Sequence, residues 1–143
     1  LLTGGTLHII DKAIKLDPYK LNEYFEAHNI TLCGLPTQFG EIFISEIDNR
    51  SLRVLWVGGD KLRRVAGRSY KLINLYGPSE TTVACTAFVV DKTDYQNIPI
   101  GRPLKNFTAY IVNEQKQAVA AQETGELCIG GAGVALGYLN LPE

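Results

Sequence analysis

The chain has 143 residues, 45% of them apolar, and fourteen basic against fifteen acidic side chains give a formal charge of −1. That length buries one ordinary core, or one core with a small appended sheet. No segment approaches the about 20 apolar residues that cross a bilayer, and no basic cluster exceeds Arg63-Arg64, so neither a membrane span nor a nucleic-acid-backbone binder is expected.

In chain order, residues 6–10 are apolar and partly β-branched and read as a strand. Asp17-Pro18 is an N-cap and first-turn pair that places Leu21, Tyr24, Phe25 and His28 on one helix face. Residues 30–34 read as a second strand, and Pro36 opens a helix whose buried stripe is Phe39, Ile42, Phe43 and Ile47. Residues 52–57 form a strand, Asp60 caps a short helix to about Ala66, and residues 71–75 and 83–90 are further strands. Strands alternating with helices predict right-handed crossovers and a mainly parallel sheet covered on both faces. Ligands of such sheets bind outside the carboxyl ends of the strands, where Gly58-Gly59 and Tyr76-Gly77-Pro78 meet. After about Asn97 the pattern becomes antiparallel: a strand over 107–112, a turn over 113–116, and a return over 125–129 into a glycine-rich tail.

The run Tyr76-Gly77-Pro78-Ser79-Glu80-Thr81-Thr82, leaving the strand Leu72-Ile73-Asn74-Leu75, has the parts of an ATP site. A tyrosine at a strand end offers a face for stacking a purine, and Gly77 and Pro78 bend the backbone so that amides approach phosphate oxygens. Ser79, Thr81 and Thr82 carry hydroxyls that donate to such oxygens. Glu80 is the turn's one formal charge, and a carboxylate beside phosphate requires a hard cation such as Mg²⁺ between them. A polar loop with a solvated glutamate is the plainer reading of the same residues. Gly131, Gly133 and Gly137 do not follow the G-x-G-x-x-G order of a dinucleotide loop. Cys33, Cys85 and Cys128 are scattered in apolar runs and read as reduced, buried thiols of a cytosolic protein. With no methionine, no signal-peptide pattern and an apolar opening, the chain reads as an internal piece of a longer protein.

A second signature runs from Gly125-Glu126-Leu127-Cys128-Ile129-Gly130-Gly131 through Ala132-Gly133-Val134-Ala135-Leu136-Gly137-Tyr138 to Glu143. Together with residues 74–82 it resembles the adenylation domains of nonribosomal peptide synthetases. Leu55-Trp56-Val57-Gly58-Gly59-Asp60, Ile98-Pro99-Ile100-Gly101-Arg102-Pro103 and Leu1-Leu2-Thr3-Gly4-Gly5-Thr6-Leu7 agree with that family, in the right order over essentially the whole chain.

The resemblance implies a flavodoxin-like, mainly parallel α/β subdomain over residues 1–97, followed by the start of a small antiparallel β-barrel subdomain over 98–143. It implies activation of an amino acid with ATP and Mg²⁺ to an aminoacyl adenylate, then transfer to the phosphopantetheine thiol of a peptidyl carrier domain beside other synthetase modules in the cytoplasm. Position by position, it makes Tyr76 the adenine-stacking ring, Asn74 a donor or acceptor at the adenine edge, and Gly59 a close neighbour of the base. Gly77, Pro78 and Thr81 complete the nucleotide contacts, Ser79 bonds the α-phosphate, and Glu80 ligates Mg²⁺. Gly34, Trp56, Gly58, Leu75, Val83 and Ala84 form part of the amino-acid pocket, with Trp56 as a wall and Gly34, Gly58 and Ala84 leaving room. None of these is charged, so a neutral amino-acid side chain is expected. The family's phosphate loop, its substrate aspartate and its mobile-domain lysine would lie outside the chain, so the piece alone is expected to be inactive. An acyl-CoA or aryl-acid ligase of the same superfamily, and a non-catalytic nucleotide-binding or scaffold module, are the competing readings.

Overall fold

The computed structural model describes residues 4–140. Three helices, α1 (Lys12–Lys15), α2 (Pro18–Ala27) and α3 (Thr37–Glu46), accompany a five-stranded sheet. Its strands, β1 (Leu32–Pro36), β2 (Val54–Gly58), β3 (Lys71–Tyr76), β4 (Thr86–Val90) and β5 (Arg102–Pro103), lie side by side in that order. β1, β2 and β3 run parallel, whereas β4 and β5 are added antiparallel. A second sheet pairs β6 (Phe107–Val112) antiparallel with β7 (Glu126–Gly131).

Alternation along the strands decides which residues meet the helices. Leu55 and Val57 of β2 and Leu72 of β3 face Leu21 and Phe25 of α2 and Phe43 and Ile44 of α3, all buried in one core. Each such side chain contributes about 1.5–3 kcal/mol relative to exposure. The opposite face carries Leu32, Trp56 and Val89, which are exposed, so the expected helical cover is met on one face among the described residues.

The α2 cap is formed as the sequence predicts: the Asp17 carboxylate accepts from the amides of Tyr19 and Lys20, and Pro18 opens the helix. The stripe of α3 differs. Gly40, Phe43 and Ile44 are buried and Ile42 is exposed, because Gly40 lets the helix close on Val57, whose Cγ1 lies 2.5 Å from where a Cβ would stand.

Two expected elements are absent among the described residues. Residues 6–10 are not a strand, since no neighbouring strand supplies a ladder for them. The helix expected after Asp60 is irregular chain: the Glu41 carboxylate of α3 takes the amides of Arg63 and Arg64, and Leu62 is pulled into the core. Asn49, fully buried, was not anticipated either. Its Oδ1 accepts from the amides of Ser51 and Leu52 and its Nδ2 donates to Asn22, fixing the turn before β2.

After Asn97 the chain does not leave the first sheet at once. Ile98 is buried in its core, the Thr86 hydroxyl donates to the carbonyl of Ile100 at 2.7 Å, and β5 pairs with β4 before β6 begins. Cys85 is buried, whereas Cys33 and Cys128 are only half-buried, and all three are free. Burial pushes the Cys33 thiol up to about 11. The histidines attend Tyr24, with His8 Nδ1 3.2 Å from its hydroxyl and the His28 ring beside its own. Among the described residues no helix is long and apolar enough to cross a membrane.

Candidate nucleotide site

β2 and β3 end side by side, and both chains turn sharply there. Beyond their carboxyl ends lies a cavity of about 590 Å³, bordered by Gly59 and Lys61 after β2, by Asn74, Tyr76 and Pro78 at the end of β3, and by Ile100 before β5. Asn74 and Tyr76 share the helix-facing side of β3 by strand alternation. Asn74 is 4% exposed, while the Tyr76 ring, at 38%, emerges at the mouth.

The chemistry that Asn74 presents follows from its bonding. Its Nδ2 donates to the carbonyl of Pro99 at 2.9 Å. Oδ1 has no such partner and is not sealed from solvent, since no buried side-chain oxygen among the described residues is left unpaired, and Asn74 lines the cavity with this acceptor free. Lys61, which the sequence reading passed over, brings an ammonium to the rim, where it donates to Asn97 Oδ1 at 3.0 Å. Its position directly after the Gly58-Gly59-Asp60 turn was the available signal.

The loop after β3 is tightly folded. Ser79–Thr81 form one turn of 3₁₀ helix, and the Thr81 hydroxyl, buried, donates to the carbonyl of Pro78 at 2.9 Å. Thr82 Oγ1 donates to the carbonyl of Gly133 at 2.8 Å. Of the three hydroxyls expected to serve phosphate, only that of Ser79 is exposed and without a partner among the described residues. Thr82 and Val83 both hold positive φ, 53° and 77°. The Ala84 amide bonds back to the Thr82 carbonyl at 3.0 Å across Val83, a strained γ-turn for a β-branched residue. This turn is why the strand expected from residue 83 starts only at Thr86. A Cβ on Gly77 would stand 2.6 Å from the Ala84 Cα and 2.7 Å from the Val83 carbonyl, so only glycine lets the loop close on itself. The Cys85 amide then donates to the Tyr76 carbonyl at 2.8 Å, joining the two ends of the loop.

Glu80 lies on this loop, exposed and outside the lining of the cavity. Its carboxyl is held below the usual carboxylate range by its own backbone amide and by the Tyr138 hydroxyl, which donates to Oε1 at 2.9 Å. Hydrogen bonding to that carboxylate in turn raises the Tyr138 phenol. Among the described residues no group of three or more His, Cys, Asp or Glu could cage a metal ion. A single carboxylate suits a cation such as Mg²⁺, which keeps its waters and takes one or two protein carboxylates together with substrate phosphates.

Gly34, Trp56, Gly58 and Leu75 fall on the other, open face of the sheet, in register across β1, β2 and β3. Trp56 is 37% exposed on that face. The expected room at Gly34 is corrected: the indole lies over that glycine, with Nε1 2.0 Å from where a Cβ would be. Val83 is exposed and Ala84 half-buried against Gly77.

Residues 1–139 match the family model described as "AMP-binding enzyme". The chain is 47% identical over its full length to bacitracin synthase 1 of Bacillus licheniformis, of which it spans 3%. The N-terminal subdomain of Klebsiella oxytoca NpsA in complex with 3-hydroxybenzoyl-AMSN superposes with a TM-score of 0.74 at 26% identity, covering 85% of this chain and 34% of that one. PA1221, an NRPS protein containing adenylation and PCP domains, superposes with a TM-score of 0.75 at 25% identity, covering 86% of this chain and 27% of that one. The chain therefore spans a small part of each relative.

Proposed function

Because the chain belongs to the AMP-binding enzyme family, we propose that it forms the nucleotide-holding core of a nonribosomal peptide synthetase adenylation domain. There an amino-acid carboxylate attacks the α-phosphorus of ATP, giving an aminoacyl adenylate and pyrophosphate. The observation that carries this reading is the cavity beyond β2 and β3, with an aromatic ring at its mouth and an amide acceptor inside.

Tyr76 stacks on the adenine. Asn74, with its donor engaged by Pro99, accepts from the exocyclic amine of adenine, a position where guanine carries a carbonyl. Gly59 lets the backbone after β2 approach the base, and Gly77 and Pro78 set the bend beneath it. The Ser79 hydroxyl serves the α-phosphate, and Thr81 holds the turn through Pro78. Mg²⁺ bound with the triphosphate supplies charge neutralisation, and Glu80 is the carboxylate that holds it.

The amino acid lies against the opposite face, where Gly34, Trp56, Gly58, Leu75, Val83 and Ala84 present no charge. That supports a neutral side chain, with the indole filling the space over Gly34. The activated acyl group passes to the phosphopantetheine thiol of a carrier domain in a cytoplasmic assembly, a step supported by the adenylation and PCP domains of PA1221. Residues 1–97 belong to the flavodoxin-like subdomain and the barrel subdomain begins after them, with β5 bridging the two.

The test is amino-acid-dependent exchange of pyrophosphate into ATP by the full-length protein that carries this chain. Exchange with one or a few neutral amino acids bears the reading out. Exchange with an aryl acid and with no amino acid transfers it to the aryl-acid ligases, a second reading favoured by the 3-hydroxybenzoyl-AMSN complex of NpsA.

A further inference from the structure

The segment that follows β7 grips the loop that carries Glu80. The Tyr138 hydroxyl donates to Glu80 Oε1 at 2.9 Å, the Ala135 amide donates to the Glu80 carbonyl at 2.7 Å, and the Thr82 hydroxyl donates to the Gly133 carbonyl at 2.8 Å. The gripping segment is itself seated on β6. Gly133 packs so closely on the Phe107 ring that a Cβ would stand 2.2 Å from Cζ, and the Ala132 amide donates to the Asn106 carbonyl at 3.1 Å.

An exposed glutamate on a turn has several rotamers to choose from, and ordering it on binding opposes binding. Here one oxygen is already held by a residue 58 positions away. The other makes no hydrogen bond to another residue among the described residues, so it remains available as a ligand.

We propose that Tyr138 is a positioning residue for the metal–nucleotide complex: its hydroxyl fixes Glu80 through Oε1 and leaves Oε2 preset to take the cation that accompanies the triphosphate. The proposal rests on the reading of Glu80 as the Mg²⁺ ligand. It gives the glycine-rich segment a functional purpose, since the close passage of Gly133 over Phe107 is what delivers the phenol to the loop.

The experiment is calorimetric titration of the full-length protein, wild type and Tyr138→Phe, with AMP, with ATP in EDTA, and with ATP in Mg²⁺. Tyr138 is 60% exposed, so loss of its hydroxyl empties no core. Tyr138→Phe should bind AMP and metal-free ATP within about twofold of wild type, while the gain in ATP affinity on adding Mg²⁺ falls about five- to tenfold, the scale of one net hydrogen bond at an exposed site. In a Glu80→Gln background the same substitution should change nothing further. An undiminished Mg²⁺ gain in Tyr138→Phe overturns the proposal, and so does an equal loss of AMP binding, which would make the hydroxyl a mere brace for the loop. Wild-type protein that binds no AMP overturns the nucleotide-site reading itself, an outcome distinct from both.

Discussion

The side-chain amide of Asn74 donates to the carbonyl of Pro99 at 2.9 Å, tying β3 to the segment that enters β5. Asn74→Asp replaces that donor with an acceptor facing a carbonyl at a buried site. A loss of about 1–3 kcal/mol is expected, read as a lower urea midpoint. Asn74→Ala should weaken ATP binding about five- to tenfold while leaving GTP binding unchanged, measured by competitive titration. Equal effects on both nucleotides would remove Asn74 from the adenine edge.

Glu80→Gln keeps the shape of the side chain and removes its charge. Pyrophosphate exchange by the full-length protein should fall about 10²- to 10³-fold, the scale of losing one preorganised electrostatic contact. The circular dichroism spectrum should not change, because Glu80 is exposed. Exchange at the wild-type rate would exclude Glu80 as the metal ligand.

Gly77→Ala drives a methyl group into the Ala84 Cα and the Val83 carbonyl. Backbone cannot rotate out of the way as a side chain tip does, so a loss of about 1–3 kcal/mol is expected. Limited proteolysis should then cut between residues 77 and 85 faster than in wild type. An unaltered midpoint and digest would mean that the loop closes less tightly than these distances indicate.

Tyr70 gives an alkaline signature. Burial pushes its phenol up to about 12, with repulsion from Asp48 adding to the rise and the Arg68 cation opposing it. The folded value lies above the unfolded value of about 10. The native state therefore holds this proton more tightly, and the stabilisation is full below about pH 10 and lost as pH rises toward 12. Urea midpoints measured from pH 9 to 12 should decline more steeply for wild type than for Tyr70→Phe. Parallel profiles would assign the decline to other groups.

Local signals were legible where chemistry is local. Asp17-Pro18 announced α2, the apolar run of residues 71–75 announced β3, and the antiparallel pair β6–β7 lies close to the strands expected over 107–112 and 125–129. What escaped were effects of distant partners. Nothing near Asp60 reveals that Glu41, on another element, will take the amides a helix would have used. Nothing in the apolar stripe of α3 says that Gly40, rather than Ile42, will set the face of closest approach. The site divides the same way. The run from Asn74 to Glu80 could be put forward as a site from residue type alone, whereas the engagement of Thr81 with Pro78 and of Glu80 with Tyr138 depends on how the loop folds back.

The bond from the Cys85 amide to the Tyr76 carbonyl makes the loop between them a cassette of fixed length. Residues inside it other than Gly77 could be exchanged with those of a relative and the two strands would stay in phase. A graft longer or shorter by one residue would slide β4 along β3 and invert its inside and outside, taking Thr86 away from Ile100. Exchanges of this stretch should therefore match length before they match composition.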